Sequence, residues 1–216
     1  MRIALVIALE SPGPLLPRSF SFNYGFPRTA LLIASCIQEW GAGAGLSPRI
    51  LNADVEIRKE WEKSGRIKDI RIVFDEVISK AILSNDPELI CIVAPYTNVA
   101  NWAKRAARVC KSVRPGTVII TGGPHASFMA EDLVNIADPV FDAVIMGPGE
   151  AKLKHLLEYF DDLSQRFRFP GISTPQGPFE FSSYAQRNEV PIPTIDYSLI
   201  RKDEIGNGGA VVMAGR

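Results

Sequence analysis

The sequence predicts an α/β fold: a five-stranded parallel sheet, doubly wound with helices on both faces, followed by an irregular C-terminal linker. Short continuous apolar runs alternate with amphipathic segments over the first 165 residues, which is typical of strands buried on both faces and joined by helices. The runs give way to loops that contain Gly, Pro or Asn. Hydrophobic residues make up 46% of the 216 residues and charged residues 22%, so the chain can bury a core.

The first part of the chain holds two predicted strands and one helix. Arg2–Leu9 is a continuous apolar run and predicts a buried strand. Glu10–Phe26 has five Pro and Gly residues, four aromatic residues and no period, so we expect a long functional or mobile loop. Thr29–Trp40 repeats apolar residues at helical spacing. Arg49–Ala53 predicts a short second strand, and the charged stretch Asp54–Lys68 is expected to be solvated.

The middle of the chain continues the alternation. Ile70–Leu83 is an amphipathic helix that ends at Asn-Asp-Pro, and Leu89–Ala94 is the third buried strand. Asn98–Val113 predicts a helix for which Asn98 is a possible N-cap. Thr117–Thr121 predicts the fourth strand, which Gly-Gly-Pro breaks.

The last third of the chain completes the predicted sheet, after which the sequence shows no regular hydrophobic periodicity. Phe128–Ala137 predicts a helix, Ala143–Met146 the fifth strand and Glu150–Leu163 the last clear helix. Residues 166–208 are rich in Pro, Gly, Ser and aromatic residues and predict a linker. A weak hairpin is expected within it, over Phe169–Phe181.

Charge, hydropathy and cysteine content exclude several classes of protein. Lys+Arg and Asp+Glu both count 24, so no basic surface for nucleic acid is indicated. No apolar run approaches the ~18 residues that span a membrane. Cys36, Cys91 and Cys110 form no CxxC pair, which argues against a disulfide framework or a zinc site. They are interpreted as buried thiols in a reducing compartment, and hence the protein as cytoplasmic.

Ligands of a doubly wound sheet bind beyond the carboxyl ends of its strands, where the strand order reverses. That rule selects five loops in this sequence as candidate binding segments. They are Glu10–Phe26, Asn52–Glu56, Pro95–Asn98, Gly122–Ser127 and Gly147–Glu150.

Two glycine motifs are the most informative of these loops, because each follows a strand and precedes a helix. Paired glycines let the backbone approach a flat or bulky ligand, although a plain tight turn explains the first motif as well. A turn that places the glutamate in the first turn of a helix explains the second. The histidine can be a base or a ligand, but a structural turn histidine is favoured. The candidate residues are Gly122, Gly123, Pro124 and His125 in the first motif, and Gly147, Gly149 and Glu150 in the second.

The third candidate loop places one aromatic and two polar side chains at the end of the third strand. Its residues are Pro95, Tyr96, Thr97 and Asn98. The alternative interpretation is a helix N-cap preceded by a core tyrosine. With the two glycine motifs, this loop makes up the predicted ligand-binding site. No catalytic residue and no metal ligand is assigned.

Nucleotide-binding motifs are absent from the sequence. It contains no GxxxxGK[ST] motif, and no GxGxxG follows the first strand. The glycine-rich run Gly41–Gly45 follows a helix and leads into a strand, so it is interpreted as a C-cap and turn.

Taken in order, these motifs resemble the N-terminal cobalamin-binding domain of B12-dependent radical SAM enzymes. The matching residues are a third strand that runs into Ala94–Asn98, then Thr117–His125, then Asp142–Glu150. The order and spacing of the two glycine motifs are the most specific part. The resemblance covers residues 1–165 as a domain.

The tail adds to this resemblance. Pro191–Tyr197 resembles the inter-domain linker of the family. Residues 209–216 contain Val211–Arg216, which resembles the strand that leads into the CxxxCxxC cluster loop. The resemblance therefore implies a radical SAM domain in cis that is truncated here, with a [4Fe-4S] cluster and S-adenosylmethionine in the missing part. A methyltransferase is expected, and this fragment alone is expected to be inactive.

The resemblance also implies how cobalamin would bind. The corrin would lie over the carboxyl edge of the sheet, and its nucleotide tail would enter a groove near Gly122 and Gly123. Tyr96 or Phe22 would keep the lower axial face dry. The DxHxxG motif of many B12 proteins is absent, and Glu10–Phe26 contains no histidine. Cobalamin is therefore expected base-off, without a histidine ligand from that loop.

A stand-alone flavodoxin-like binding or regulatory domain without cobalamin is the alternative. A receiver domain of this kind needs acidic residues after the first strand and a lysine after the fifth. Only Glu10 fits the first requirement, and Gly147–Gly149 replaces the lysine.

Overall fold

A parallel sheet, extended at one edge by a hairpin, runs through the centre of the protein. The computed structural model describes residues 1–9, 27–65, 68–93, 97–134, 137, 139–179 and 190–201. The strands are β1 (Arg2–Ala8), β2 (Leu46–Asn52), β3 (Leu89–Val93), β4 (Val118–Gly122), β5 (Ala143–Ile145), β6 (Ile172–Thr174) and β7 (Gly177–Phe179). The α-helices are α1 (Arg28–Trp40), α2 (Ala53–Lys63), α3 (Ile70–Asn85), α4 (Ala100–Val113), α5 (Pro124–Phe128), α6 (Ala130–Leu133) and α7 (Glu150–Glu158).

The strand order is β2-β1-β3-β4-β5-β6-β7, and the first five strands of the chain pair in parallel. The order reverses at β1, because β2 lies on one side of it and the later strands lie on the other. This reversal is the switch point of a doubly wound sheet. The predicted five-stranded parallel arrangement is confirmed, with strand ends that move by three residues or fewer.

The sheet is longer than predicted, because the hairpin of the linker joins it. β6 pairs antiparallel with β5, and β7 pairs antiparallel with β6. The sequence predicts a hairpin over Phe169–Phe181 but not its place beside β5. The hairpin covers an edge strand that would otherwise present unpaired backbone groups.

Helices cover both faces of the sheet, as the sequence predicts. α1 and α7 pack on one face, against side chains that include Val6 and Cys91. α2 to α6 pack on the other, against Leu5 and Ile90. Successive strand residues therefore point into different cores, which is why the strands are apolar throughout.

The segment Asp54–Lys68, predicted as charged and solvated, forms most of α2, and the prediction did not include its buried residues Asp54, Val55 and Ile57. The Asn52 side chain accepts a hydrogen bond from the Val55 backbone and caps α2. Ala53 and Ile57 are buried, which gives the helix a narrow apolar face. Charged side chains three and four residues apart pair on the solvent side and stabilise the helix. These pairs are Glu56–Lys59, Arg58–Glu62 and Glu60–Lys63.

Three helix boundaries also differ from the predicted ones. Phe128–Ala137 is not one helix, because α5 begins earlier, with Pro124 in its first turn, and Met129 separates it from α6. α4 begins at Ala100 with Val99 at the N-cap position, so Asn98 lies in a preceding 3-10 turn and is not the cap. α7 ends at Glu158.

Part of the predicted linker is held against α1. The Asp196 backbone N–H donates to Ser35 Oγ at 3.0 Å, and Gln38 Nε2 donates to Asp196 Oδ2 at 3.0 Å. Leu199 packs on the same core as α1, and Ile200 is buried. Residues 196–200 therefore have a fixed place on the domain.

All three cysteines are buried and unpaired, as expected. Burial raises the pKa of Cys36, Cys91 and Cys110 to about 12, from an ordinary value of 9.0. When folding raises the pKa of a thiol, its contribution to the free energy of unfolding is fully present at pH values below the pKa of the unfolded state. That stabilisation is lost as the pH rises toward the folded pKa.

Cys110→Ala tests this dependence, because Cys110 lies in the core on the α4 side. We expect the variant to be less stable than the wild type at pH 8, and the difference to shrink by about 1 kcal/mol at pH 10. Urea denaturation at both pH values measures it. An unchanged difference would show that the thiol titrates alike in both states.

Candidate functional site

A cleft opens at the carboxyl edge of the sheet, where β3, β4 and β5 end. These strands form its floor, α1 and α7 form its walls, and its volume is about 210 Å³. Leu32 and Cys36 of α1, Cys91 and Ile120 of the strands, and Leu153 of α7 give it an apolar lining. Six of the predicted site residues line it as well. They are Gly122, Gly123, Pro124, Gly147, Gly149 and Glu150.

Two different constraints require the paired glycines of the first motif. A Cβ atom at Gly122 would lie 3.2 Å from the Ile145 carbonyl oxygen of β5. Gly123 has φ 114° and ψ 177°, a region that only glycine adopts readily. The tight-turn interpretation therefore describes this backbone, and the same turn leaves the rim of the cleft without side chains.

The second motif forms the opposite rim. Gly147 has φ 66°, and a Cβ atom there would meet nothing within 4 Å, so backbone conformation selects glycine at this position. Gly149 is the N-cap residue of α7 and offers no side-chain cap. Glu150 consequently places its carboxylate in the first turn, where the helix dipole favours negative charge.

Ser127 connects the two glycine motifs. Its Oγ donates to the Gly123 carbonyl at 2.9 Å and accepts from the Gly147 backbone N–H at 2.8 Å. In the sequence, Ser127 is the last residue of the candidate loop Gly122–Ser127, and no role is predicted for it. Its position four residues after Gly123, within α5, is the signal that the sequence offers.

Ser127→Ala removes both hydrogen bonds and leaves the Gly147 N–H without this partner. We expect a loss of about 1–2 kcal/mol in the free energy of unfolding, measured by urea denaturation. Ser112→Ala is the matched control, because Ser112 Oγ donates only to the Val109 carbonyl on an exposed helix face. Equal losses in the two variants would contradict a bridging role for Ser127.

A second connection joins the first glycine motif to the third candidate loop. His125 Nδ1 and Thr97 Oγ1 lie 3.1 Å apart. This contact fits the structural role favoured for His125. Pro95 and Tyr96 lie outside the described residues, as does the loop Glu10–Phe26 with Phe22. Of Asn98, the structure describes the backbone.

Lys152 supports the second motif. The residue is 7% exposed, and its Nζ donates to the Pro148 carbonyl at 2.7 Å. Burial lowers the pKa of this ammonium group. Gly171 packs against the aliphatic stem so closely that a Cβ atom would collide with it. The lysine thus holds the loop of the second glycine motif through the Pro148 carbonyl. The sequence alone did not indicate this role.

Two thiols face the cleft, from Cys36 and Cys91. Burial, and then the charges of Glu150 and Glu39, raise the pKa of Cys36 to about 12. Both thiols are therefore neutral at physiological pH, and neither brings a charge into the cleft.

The described part of the chain contains no cluster of three or more His, Cys, Asp or Glu residues suited to a metal ion. Within the same residues, no helix has the length and apolar character needed to cross a bilayer.

Parts of this chain are similar in sequence to known proteins. Uncharacterized methyltransferase PH0819 of Pyrococcus horikoshii is 30% identical over 154 residues, which are 64% of this chain and 31% of the relative. Hopanoid C-3 methylase of Methylococcus capsulatus is 30% identical over 139 residues, 62% of this chain and 27% of the relative. The chain thus spans less than a third of the length of either protein.

Among solved structures, the radical S-adenosylmethionine methyltransferase TsrM from Kitasatospora setae, with tryptophan substrate and a SAM analogue bound, has a similar fold. The TM-score is 0.52 at 13% identity, and the match covers 92% of this chain and 36% of TsrM. At this identity the likeness concerns the fold alone.

The family model of the B12 binding domain matches residues 32–157. That range is more than half of the chain and contains α1 from Leu32 onward, both glycine motifs and α7 up to Leu157. With the doubly wound sheet and the open cleft at its carboxyl edge, it establishes that this chain belongs to the B12 binding domain family.

Proposed function

We propose that this chain binds cobalamin at the cleft, as the cofactor-binding part of a B12-dependent radical SAM methyltransferase. The observation that carries the proposal is the cleft itself. It is apolar, it is rimmed by the two glycine motifs, and it lies at the carboxyl edge of the sheet within the range that matches the family.

The size of the cleft supports a division of the cofactor between two places. Its volume of about 210 Å³ is below the ~300–1,000 Å³ of pockets that enclose drug-sized ligands. A corrin ring does not fit inside, whereas a flat aromatic base does. We therefore assign the nucleotide tail to the cleft and the corrin to the surface above it. The proposed contacts are the eleven residues of the three candidate loops, Pro95, Tyr96, Thr97, Asn98, Gly122, Gly123, Pro124, His125, Gly147, Gly149 and Glu150.

Base-off binding follows from this placement, since a base held in the cleft cannot also ligate the cobalt of the same cofactor. The first loop, Glu10–Phe26, has no histidine to replace it. Of the two histidines in the chain, His125 contacts Thr97, and His155 contacts the Gln165 carbonyl at 2.9 Å. The proposal is therefore cobalamin without a histidine ligand from the first loop.

The reaction that we propose needs a further domain. Bound cobalamin supplies methyl-carrying cobalt chemistry, and a radical SAM domain in cis would contribute a [4Fe-4S] cluster and S-adenosylmethionine. Two relatives are named as a methyltransferase and a methylase, which supports this context. The role of the residues described here is to orient the cofactor and to exclude water from the base.

Spectroscopic titration of the chain with hydroxocobalamin and methylcobalamin tests the proposal. We expect one equivalent to remain bound after desalting, and methylcobalamin to change from its base-on to its base-off absorption spectrum. A bound cofactor with a base-on spectrum would contradict the placement of the tail. No retained cofactor would contradict the function and favour a domain that works without cobalamin.

A further inference from the structure

The floor of the cleft is deficient in hydrogen-bonding partners. Thr121 is among the residues that line the cleft, and its Oγ1 already donates to the Ile92 carbonyl at 2.8 Å. The backbone groups of β3 and β4 are engaged by neighbouring strands on both sides. Within the described residues, the buried side-chain nitrogens that lack a hydrogen-bond partner belong to Arg114, which is ion-paired with Asp86, and to Arg166, and neither residue lines the cleft.

The remaining polar side chains of the cleft lie toward its mouth. Thr29 is exposed near the start of α1, and Glu150 is partly exposed in the first turn of α7. Deeper in the cleft the side chains are Cys36, Cys91 and Ile120, all at most 4% exposed. A thiol is a weak hydrogen-bond donor and behaves as a small hydrophobic group.

From these contacts we infer that the cleft selects cobalamins by the base of the nucleotide tail, and favours a benzimidazole over an adenine. The inference rests on the proposed function, because it concerns what occupies the same cleft. The far edge of dimethylbenzimidazole carries two methyl groups, which match an apolar floor. Adenine carries an amino group and ring nitrogens, which would lose water there without gaining partners.

Binding of three corrinoids to the wild-type chain tests the inference. They are cobalamin, its adenine-tailed analogue, and cobinamide, which has the corrin but no nucleotide tail. All are compared in the four-coordinate Co(I) state, so that neither base has to leave cobalt. We expect cobalamin to bind ~10- to 100-fold more tightly than the adenine analogue, which is the effect of leaving buried polar groups unpaired.

Each outcome of this comparison has a separate meaning. Equal affinity for the two tailed corrinoids, both tighter than cobinamide, would overturn the selectivity and leave the proposed function intact. Equal affinity for cobalamin and cobinamide would show that the tail does not use the cleft. No binding of any corrinoid would overturn the proposed function.

A substitution deep in the cleft tests the cause of the selectivity. Cys36→Ser adds a hydroxyl group at nearly constant volume, so we expect it to reduce the preference for cobalamin at least ~3-fold by offering adenine a partner. Cys110→Ser is the matched control, because Cys110 is equally buried but lies in the core on the other face of the sheet. Cys91→Ser serves if the first variant does not fold. An unchanged preference in both cleft variants would contradict the explanation.

Discussion

Replacing Leu32 by tryptophan is expected to weaken cobalamin binding about 100-fold. Leu32 lies on the wall of the cleft and is only partly buried, so the larger indole can extend into the space assigned to the base. A bound aromatic base would bury ~150–250 Å² in the cleft. If the indole excludes the base, the lost burial, at ~25 cal/mol per Å², removes several kcal/mol of binding free energy. Spectroscopic titration with cobalamin measures the effect.

Leu83→Trp is the matched control for this experiment. Leu83 is 74% exposed on α3, away from the cleft, so the same substitution there should leave cobalamin affinity unchanged. Urea denaturation should show that Leu32→Trp remains folded, with a loss below ~3 kcal/mol. Unchanged affinity in a folded Leu32→Trp protein would exclude the cleft as the place of the base.

Gly123→Ala is expected to reduce both stability and cobalamin affinity. Its φ of 114° and ψ of 177° cost a non-glycine residue about 1–3 kcal/mol, so the variant must store strain or move the turn. Either response disturbs the Gly123 carbonyl, to which Ser127 donates, and with it the connection to Gly147. We therefore expect weaker binding of cobalamin beside the loss in the free energy of unfolding.

Gly116→Ala separates this effect from a general cost of replacing glycine. A Cβ atom at Gly116 would meet nothing within 4 Å, and its φ is not positive. We expect its stability to change by less than about 1 kcal/mol and its cobalamin affinity to stay the same. Similar behaviour of both alanine variants would mean that the backbone at Gly123 does not support the rim.

Much of the fold could be predicted because its strands are buried on both faces. β3, for example, is the uninterrupted apolar run Leu-Ile-Cys-Ile-Val, and such runs stand out in a sequence. α2 could not be recognised in the same way, since its buried apolar residues are separated by charged ones. The position of the hairpin beside β5 depends on which sheet edge is open, which is a property of the assembled sheet.

The glycines of the site were predictable because turn geometry restricts those positions to one residue type. Gly123 and Gly147 both have positive φ, and both line the cleft. The supporting residues were not predictable, because Ser127 and Lys152 act through contacts made only when distant loops meet. The predicted contacts at Pro95 and Tyr96 lie outside the described residues and remain predictions.

The attachment of residues 196–200 to α1 has a consequence for any polypeptide that follows them. Asp196 is fastened to the same helix that contributes Leu32 and Cys36 to the cleft wall. Polypeptide that follows Arg201 therefore continues from a segment whose position against α1 is fixed. Shortening the free length of a connection raises the local concentration of what it carries, so encounters at the cleft mouth become more frequent without any added affinity.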